Sequence, residues 1–363
     1  MLVKVETETL NPAKIRLSVA QALQHLGPVI PADKVEDVLN FLIIKDALGD
    51  NDENVSEKML AAGLVLIESH GKQNLEGILN ILNGYLDAPA KSSNVHDRIR
   101  EASVILLGGA ARHLEPTDPR TDSIIDKLLT TLKTPSESVQ FAVCDCLPPL
   151  IRGRVHRVPE LTSQLMKTLT GAATYGERRG AAFGIAGIVA GAGIASLYSP
   201  DILSSLAAAV LNKKDAKSRE GALFVYEALL YSLGRLFEPF ISQILPYLLV
   251  TYGDSAGEIR NATSDTAKMI MRTISGHCVK EILPSLLAGL EEPQWRSKKG
   301  SIEMLGAMAY LAPKQLSISL PTVVPRLTGV LTDSHPQVRA AANSGLLKFG
   351  EVDPFKIVLI SRS

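Results

Sequence analysis

The stretch LTDSHPQVRAAANSGLLKFG, residues 331–350, decides how the rest of the chain is read. It reads as the end of one helix, a turn, and a second helix that begins near Pro336 and carries Arg339 in its first turn. The question is whether Arg339 is a local feature or one copy of a repeated one. Aligning the chain on VRAAA places Arg16 in IRLSV, Ser56 in VSEKM, Arg100 in IREAS, Gln140 in VQFAV, Arg179 in RRGAA, Arg219 in SREGA, Arg260 in IRNAT and Lys298 in SKKGS at the same register. Successive spacings run 40, 44, 40, 39, 40, 41, 38 and 41. A period of this size along the whole sequence predicts a solenoid of helix pairs.

A second signal runs in step with the first. Pro246, Pro284 and Pro325 each stand 14 residues before Arg260, Lys298 and Arg339. Each unit is therefore expected to hold a first helix such as ILPYLLVTYGD, often interrupted by proline, and a second helix such as SREGALFVYEALLYSLG. The prolines should bend the first helices, because they remove a backbone donor and crowd the preceding turn. Between the two helices a short turn often carries aspartate, as at Asp52, Asp215, Asp254 and Asp333. Glycines 71, 234 and 276 fall 15 or 16 residues beyond the ladder site, where a left-handed helix cap is expected. The expected fold is all-α, a HEAT-repeat solenoid of antiparallel helix pairs with about nine repeats. The period is too long for tetratricopeptide repeats, and no extra short helix favours the armadillo type.

Composition agrees with a helical array and narrows the partners. Hydrophobic residues make up 46% of the 363 and aromatic residues only 5%, so the core must come from Leu, Ile, Val and Ala. Lys plus Arg is 38 and Asp plus Glu is 38, which leaves no global positive field to drive sequence-independent binding to free DNA. Cys144, Cys146 and Cys278 are too few for a disulfide framework and point to a reducing, cytoplasmic setting. The first residues, MLVKVETETL, lack the apolar core of a signal peptide. GAAFGIAGIVAGAGIASLYSP, residues 180–200, carries no charge and is long enough to cross a bilayer. It is mostly Gly and Ala, however, so its transfer into lipid is weakly driven, and a buried helix is expected.

Tests for chemistry come out against an enzyme. Cys144 and Cys146 sit two apart on an expected helix and cannot share a metal. The seven histidines form no HExxH and no i, i+4 pair. Gly184, Gly187, Gly191 and Gly193 follow no strand and match no phosphate-loop pattern. Catalytic, cofactor and metal residues are therefore all expected to be absent.

Two groups of residues remain as candidates. Arg16, Arg100, Arg179, Arg219, Arg260, Lys298 and Arg339 are expected to form a structural ladder, pairing with turn aspartates or carbonyls of the neighbouring unit. The alternative for these residues is a basic ridge facing an acidic partner. Three basic clusters lie near expected turns: Arg152, Arg154, His156 and Arg157; Lys213, Lys214 and Lys217; and Arg296, Lys298 and Lys299 beside the single tryptophan, Trp295. These are the candidate contact residues, with simple solvated turns as the competing reading.

The ends complete the sequence-level picture. The segment before Arg16 is short and polar, so the first repeat reads as incomplete, and the repeat array is expected to cover residues 1–352. The tail DPFKIVLISRS, residues 353–363, cannot form another pair and is expected to be a truncated, non-repeat end.

Four runs carry a more specific likeness: ERRGAAFGIAGIVAGAGI, REGALFVYEALLYSLGRLFEPFI, LPSLLAGLEEPQWRSKKGSIEMLGAMAYLAPKQL and VVPRLTGVLTDSHPQVR. Over essentially residues 10–352 the chain resembles the general-control translational activator family. These are very large cytosolic HEAT-repeat proteins of eukaryotes whose central segment is similar to fungal elongation factor three. The resemblance implies a non-enzymatic scaffold that sits on stalled or collided ribosomes, through ribosomal RNA or stalk proteins. It also implies promotion of the starvation-response kinase that phosphorylates initiation factor two. The family's kinase-binding region lies C-terminal to these repeats, so this chain is expected to touch the kinase only indirectly. Competing readings are a tubulin-binding TOG-type module, which ends after about six repeats, and a transport receptor, which favours an acidic inner surface.

Overall fold

The computed structural model describes residues 12–88, 93–115, 117–198, 201–311 and 313–352. The expected tail at 353–363 therefore lies outside the described residues. Helices dominate, and no strand occurs among the described residues. The chain divides into two compact units, Met1–His156 and Arg157–Ser363.

Unit 1 contains α1 (Pro12–Leu26), α2 (Val35–Ile44), α3 (Glu53–Asp87), α4 (Asn94–Ala111), α5 (Arg120–Thr131) and α6 (Glu137–Arg152). Unit 2 contains α7 (Val158–Gly171), α8 (Tyr175–Ala192), α9 (Ile202–Leu211), α10 (Ala216–Leu233), α11 (Glu238–Tyr252), α12 (Gly257–Thr273), α13 (Gly276–Ala288), α14 (Trp295–Leu311), α15 (Pro313–Val330) and α16 (Pro336–Val352). The nine ladder positions all fall in the first two turns of a second helix: α1, α3, α4, α6, α8, α10, α12, α14 and α16. Within a unit, a second helix packs on its own first helix and on the second helix of the next repeat, as α10 does on α9 and α12. That double contact buries aliphatic side chains at helical spacing, such as Ile244, Leu245 and Leu248 on α11. Each fully buried side chain of this kind stabilises the stack by about 1.5–3 kcal/mol.

Local punctuation departs from expectation at two of the three glycines. Gly234 does end α10 with φ at +54°, a conformation that favours glycine. Gly71, by contrast, lies inside α3, which runs 35 residues and serves both as the second helix of one pair and as the first helix of the next. The break comes three residues later at Asn74 (φ −109°, ψ 18°), whose side-chain amide donates to the Ala32 carbonyl at 2.9 Å. Gly276 opens α13 rather than closing α12. Pro246, Pro284 and Pro325 lie within α11, α13 and α15, as their register requires.

The uncharged run from residue 180 forms most of α8 and is buried along nearly its whole length. No helix among the described residues is long and apolar enough to cross a membrane. Small residues permit close packing in this region. A Cβ at Gly221 of α10 would stand 2.8 Å from the Leu169 carbonyl oxygen of α7, so the two helices meet backbone to backbone there.

Candidate functional site

The ladder residues perform two distinct tasks. The first is to clamp the turn of their own repeat. Arg260 donates through Nη1 to the carbonyls of Asp254 and Ser255, both at 2.7 Å. Arg339 donates in the same way to Asp333 at 2.7 Å and Ser334 at 2.9 Å. Arg100 reaches the Leu86 carbonyl at 2.7 Å, and Gln140 reaches that of Thr134 at 3.0 Å. In the repeat of α8 the clamp is Arg178, which donates to Ala172 and Ala173. Arg179 instead pairs with Glu227 at 3.3 Å and lays its guanidinium 4.8 Å from the Phe183 ring centre.

The second task joins consecutive repeats. Arg16 donates to Asp50, Arg219 to Asp254 and Lys298 to Asp333, at 2.5, 2.8 and 2.8 Å. Each of these aspartates also accepts a backbone N–H two residues further on with Oδ1, from Asp52, Ala256 and His335. One carboxylate thus shapes the turn and receives the cation of the preceding repeat. Asp50 and Asp333 are held below the usual carboxylate range. For Asp50, burial works upward against the hydrogen bonds from Arg16 and Asp52 and is outweighed. For Asp333, the Lys298 hydrogen bond is the leading cause. Sequence reasoning named Asp52 in the first of these turns and missed Asp50; the missed signal is the near-constant separation of 34 or 35 residues between cation and aspartate.

The basic clusters separate in the same geometry. Arg152, Arg154 and Arg157 lie where a second helix leads into the next first helix, whereas the other two clusters lie at turns inside a repeat. Arg154 is buried, donating to Asp122 at 3.1 Å and to the Asp118 carbonyl at 2.7 Å, so it braces its connection. Arg152 is exposed and Arg157 is half-buried. Lys213, Lys214 and Lys217 are exposed around the Asp215 cap of α10, and no hydrogen bond or ion pair holds their ammonium groups among the described residues.

In the third cluster, Trp295 stacks on His335 with ring centres 3.8 Å apart and planes 9° apart, while the Arg296 guanidinium lies 4.5 Å from the indole centre. Lys298 is held by Asp333, and Lys299 pairs with Glu303 at 3.4 Å. Tryptophan and histidine are 40 residues apart, one period, and sequence reasoning left the histidine out. Within unit 2 the turns at 213–217 and 295–299 belong to repeats two apart. At an interaxial distance of 8–10 Å per packed helix, this sets them about 20 Å from each other.

Other chemistry has little support. Cys144, Cys146 and Cys278 are buried, and burial pushes the Cys146 thiol up to about 12 and that of Cys278 up to about 11. Such thiols stay protonated and inert at neutral pH. No cluster of His, Cys, Asp and Glu suited to a metal ion occurs among the described residues.

Comparison with known proteins places the chain among HEAT-repeat proteins. Residues 2–112 match a family profile described as the HEAT repeats of the stalled ribosome sensor GCN1, and residues 178–346 match the N-terminal HEAT repeat of EF3. The chain is 43% identical to the human stalled ribosome sensor GCN1, across 93% of this chain and 12% of that protein. It is 40% identical to the eIF-2-alpha kinase activator GCN1 of Saccharomyces cerevisiae, across 95% of this chain and 13% of the relative. Elongation factor 3 of Gonapodya prolifera is 31% identical over 70% of this chain and 22% of its own length. The chain therefore spans about an eighth of the first two relatives. Among solved structures, the Kap95:Nup1 complex contains a chain that superposes with a TM-score of 0.53 at 13% identity, over 97% of this chain and 46% of that one. That likeness supports the HEAT-type fold alone.

Proposed function

The chain belongs to the general-control translational activator family, and from that premise we propose that it is a non-enzymatic, ribosome-binding scaffold segment. Its repeats hold basic turns against the anionic surface of the ribosome, the RNA backbone or the acidic stalk proteins. Relatives are named as a stalled ribosome sensor and as an eIF-2-alpha kinase activator, and the role proposed for this segment is to help couple stalled ribosomes to that kinase. This segment acts on the kinase only indirectly, in the cytoplasm.

The observation that carries the reading is the exposed, unpaired trio Lys213, Lys214 and Lys217, placed on a turn that Asp215 fixes. Arg154 and Lys298 contribute architecture instead, since their charges are already matched inside their units. Arg152, Arg157, Trp295, Arg296 and Lys299, whose pair with Glu303 is open to water, are the remaining proposed contact residues.

Cosedimentation with purified ribosomes across a salt series tests this. Reversing Lys213, Lys214 and Lys217 to glutamate is expected to weaken association and to reduce the slope of log affinity against log salt by about two to three, close to one for each phosphate no longer neutralised. Binding that ignores salt, or a reversed turn that binds as tightly as the native one, removes these lysines from the interface.

A further inference from the structure

Unit 1 carries a groove of a different character along its second helices. Two cavities, of about 490 and 480 Å³, share Glu57, Leu60 and Ser138 and so form one continuous depression across α3, α4 and α6. Its floor is apolar: Leu60, Leu64 and Phe141 are half-buried and Ile105 lies beneath them. Along its rim stand Glu53 and Glu57 of α3 and Asp97 and Glu101 of α4. None of these four carboxylates takes part in an ion pair among the described residues. Glu101 accepts a hydrogen bond from Thr134 at 2.8 Å, and Glu53, Glu57 and Asp97 are exposed.

The one cation in the first cavity, Arg98, acts on Glu101 through space but forms no ion pair with any of the four among the described residues. Arg98 spends Nη2 on the Gly49 carbonyl and on Asn51 Oδ1, both at 3.0 Å. Its Nε is buried and has no acceptor. At the other end Arg112 is engaged by Glu68 at 3.6 Å. The groove therefore presents uncovered apolar surface and a rim of carboxylates that form no ion pair among the described residues.

We propose that this groove binds an extended, lysine- or arginine-rich protein segment with apolar residues interspersed. Such a segment meets both features at once. Its cations pair with the rim, and its apolar side chains cover Leu60, Leu64 and Phe141. From Glu53 to Glu68 the α3 side of the groove is about 23 Å long at 1.5 Å per residue. That length takes about seven extended residues at 3.3 Å each, with alternate side chains directed to floor and rim. A nucleic acid is disfavoured, because its phosphates would face four carboxylates. The surface lies in the unit that does not hold the Lys213 turn, so the inference stands independently of the ribosome reading.

The test uses the full chain and a fluorescent peptide of about eight residues that alternates lysine and leucine, followed by anisotropy. Saturable binding is expected, with no binding of the matching glutamate–leucine peptide and weaker binding of an all-lysine peptide. Joint substitution of Glu57→Lys and Asp97→Lys should weaken the lysine–leucine peptide by about tenfold or more, whereas Glu160→Lys on α7 should leave it unchanged. Circular dichroism checks that the variants fold. Should the reversed pair misfold, the milder Glu57→Gln with Asp97→Asn is expected to give a loss of about threefold through the same rim. Undiminished binding in a folded rim variant, equal weakening by Glu160→Lys, or equal affinity for the all-lysine peptide overturns the proposal. So does a single-stranded RNA oligonucleotide whose binding depends on the same two carboxylates.

Discussion

Units 1 and 2 join their repeats with ion pairs of similar sequence separation in very different surroundings. In unit 1, Arg112 reaches Glu68, Arg120 reaches Glu76 and Lys127 reaches Asp87, and each acid is 70% exposed or more. In unit 2, Arg178 pairs with Glu220, Arg179 with Glu227 and Arg219 with Asp254, and no member is more than 13% exposed. The first kind of pair gains little, since water screens the charges and ordering long side chains costs entropy. The second kind is costly to break, because removing one partner strands the other in a dry site. The three unit 2 pairs thus lock their junctions in a way the three unit 1 pairs do not, although each unit also holds the other kind: Arg326–Glu291 of unit 2 is exposed, and Arg154, paired with Asp122 in unit 1, is buried.

Breaking one pair of each kind tests this contrast most severely. Glu220→Ala leaves the buried Arg178 without its carboxylate, and the expected loss is about 3–5 kcal/mol. Glu76→Ala removes an exposed partner that Arg120 replaces with Asp118, at 2.7 Å, so the expected loss is at most about 1 kcal/mol. Urea denaturation followed by circular dichroism measures both. Equal losses would dissolve the distinction between the units. A double variant, Arg178→Met with Glu220→Leu, sharpens it: stability is expected to recover much of what Glu220→Ala loses, since apolar replacement of a buried pair is often neutral.

A smaller effect is expected at Arg339. It is exposed, and its partners are the carbonyls of its own turn, so Arg339→Ala leaves no buried charge behind. The loss should be about 1 kcal/mol, from hydrogen bonds that water largely replaces. Thermal unfolding measures it, and a loss as large as that of Glu220→Ala would mean that turn clamps, rather than buried junction pairs, hold unit 2 together.

The period was readable because solenoid stacking forces equivalent residues into equivalent positions, so Arg219, Arg260 and Arg339 announce themselves by spacing alone. What spacing cannot resolve is which of two adjacent residues takes a task. Arg178 and Arg179 differ by one position, 100° of helix, and only packing assigns the first to the turn and the second to Glu227. Gly71 looked like a cap because it stands where Gly234 stands in its own repeat. The residues after it, KQNLEG, continue the helix and place the break at Asn74. The groove in unit 1 was invisible for a related reason. Glu57 and Asp97 come from different repeats, and their lack of cationic partners is a property of three packed helices rather than of any segment.

The smallest predicted effect concerns acid. Asp333 is held below the usual carboxylate range, first by the Lys298 hydrogen bond and then by the His335 backbone N–H, with burial opposing. A carboxyl whose value falls on folding adds stability that is present above its unfolded value, near 3.9, and is lost as pH drops through the lower folded value. Lys298→Ala is therefore expected to lower stability modestly at neutral pH, because the linking pair is lost while the turn bond to His335 persists. In acid, once pH has fallen through the lowered folded value and the carboxyl is protonated, the variant and the native chain should differ far less. Denaturation midpoints of both chains at the two pH values measure the difference. A gap that stays constant would show that Lys298 acts through the packing of its stem, and that the charge on Asp333 does not join the last two repeats.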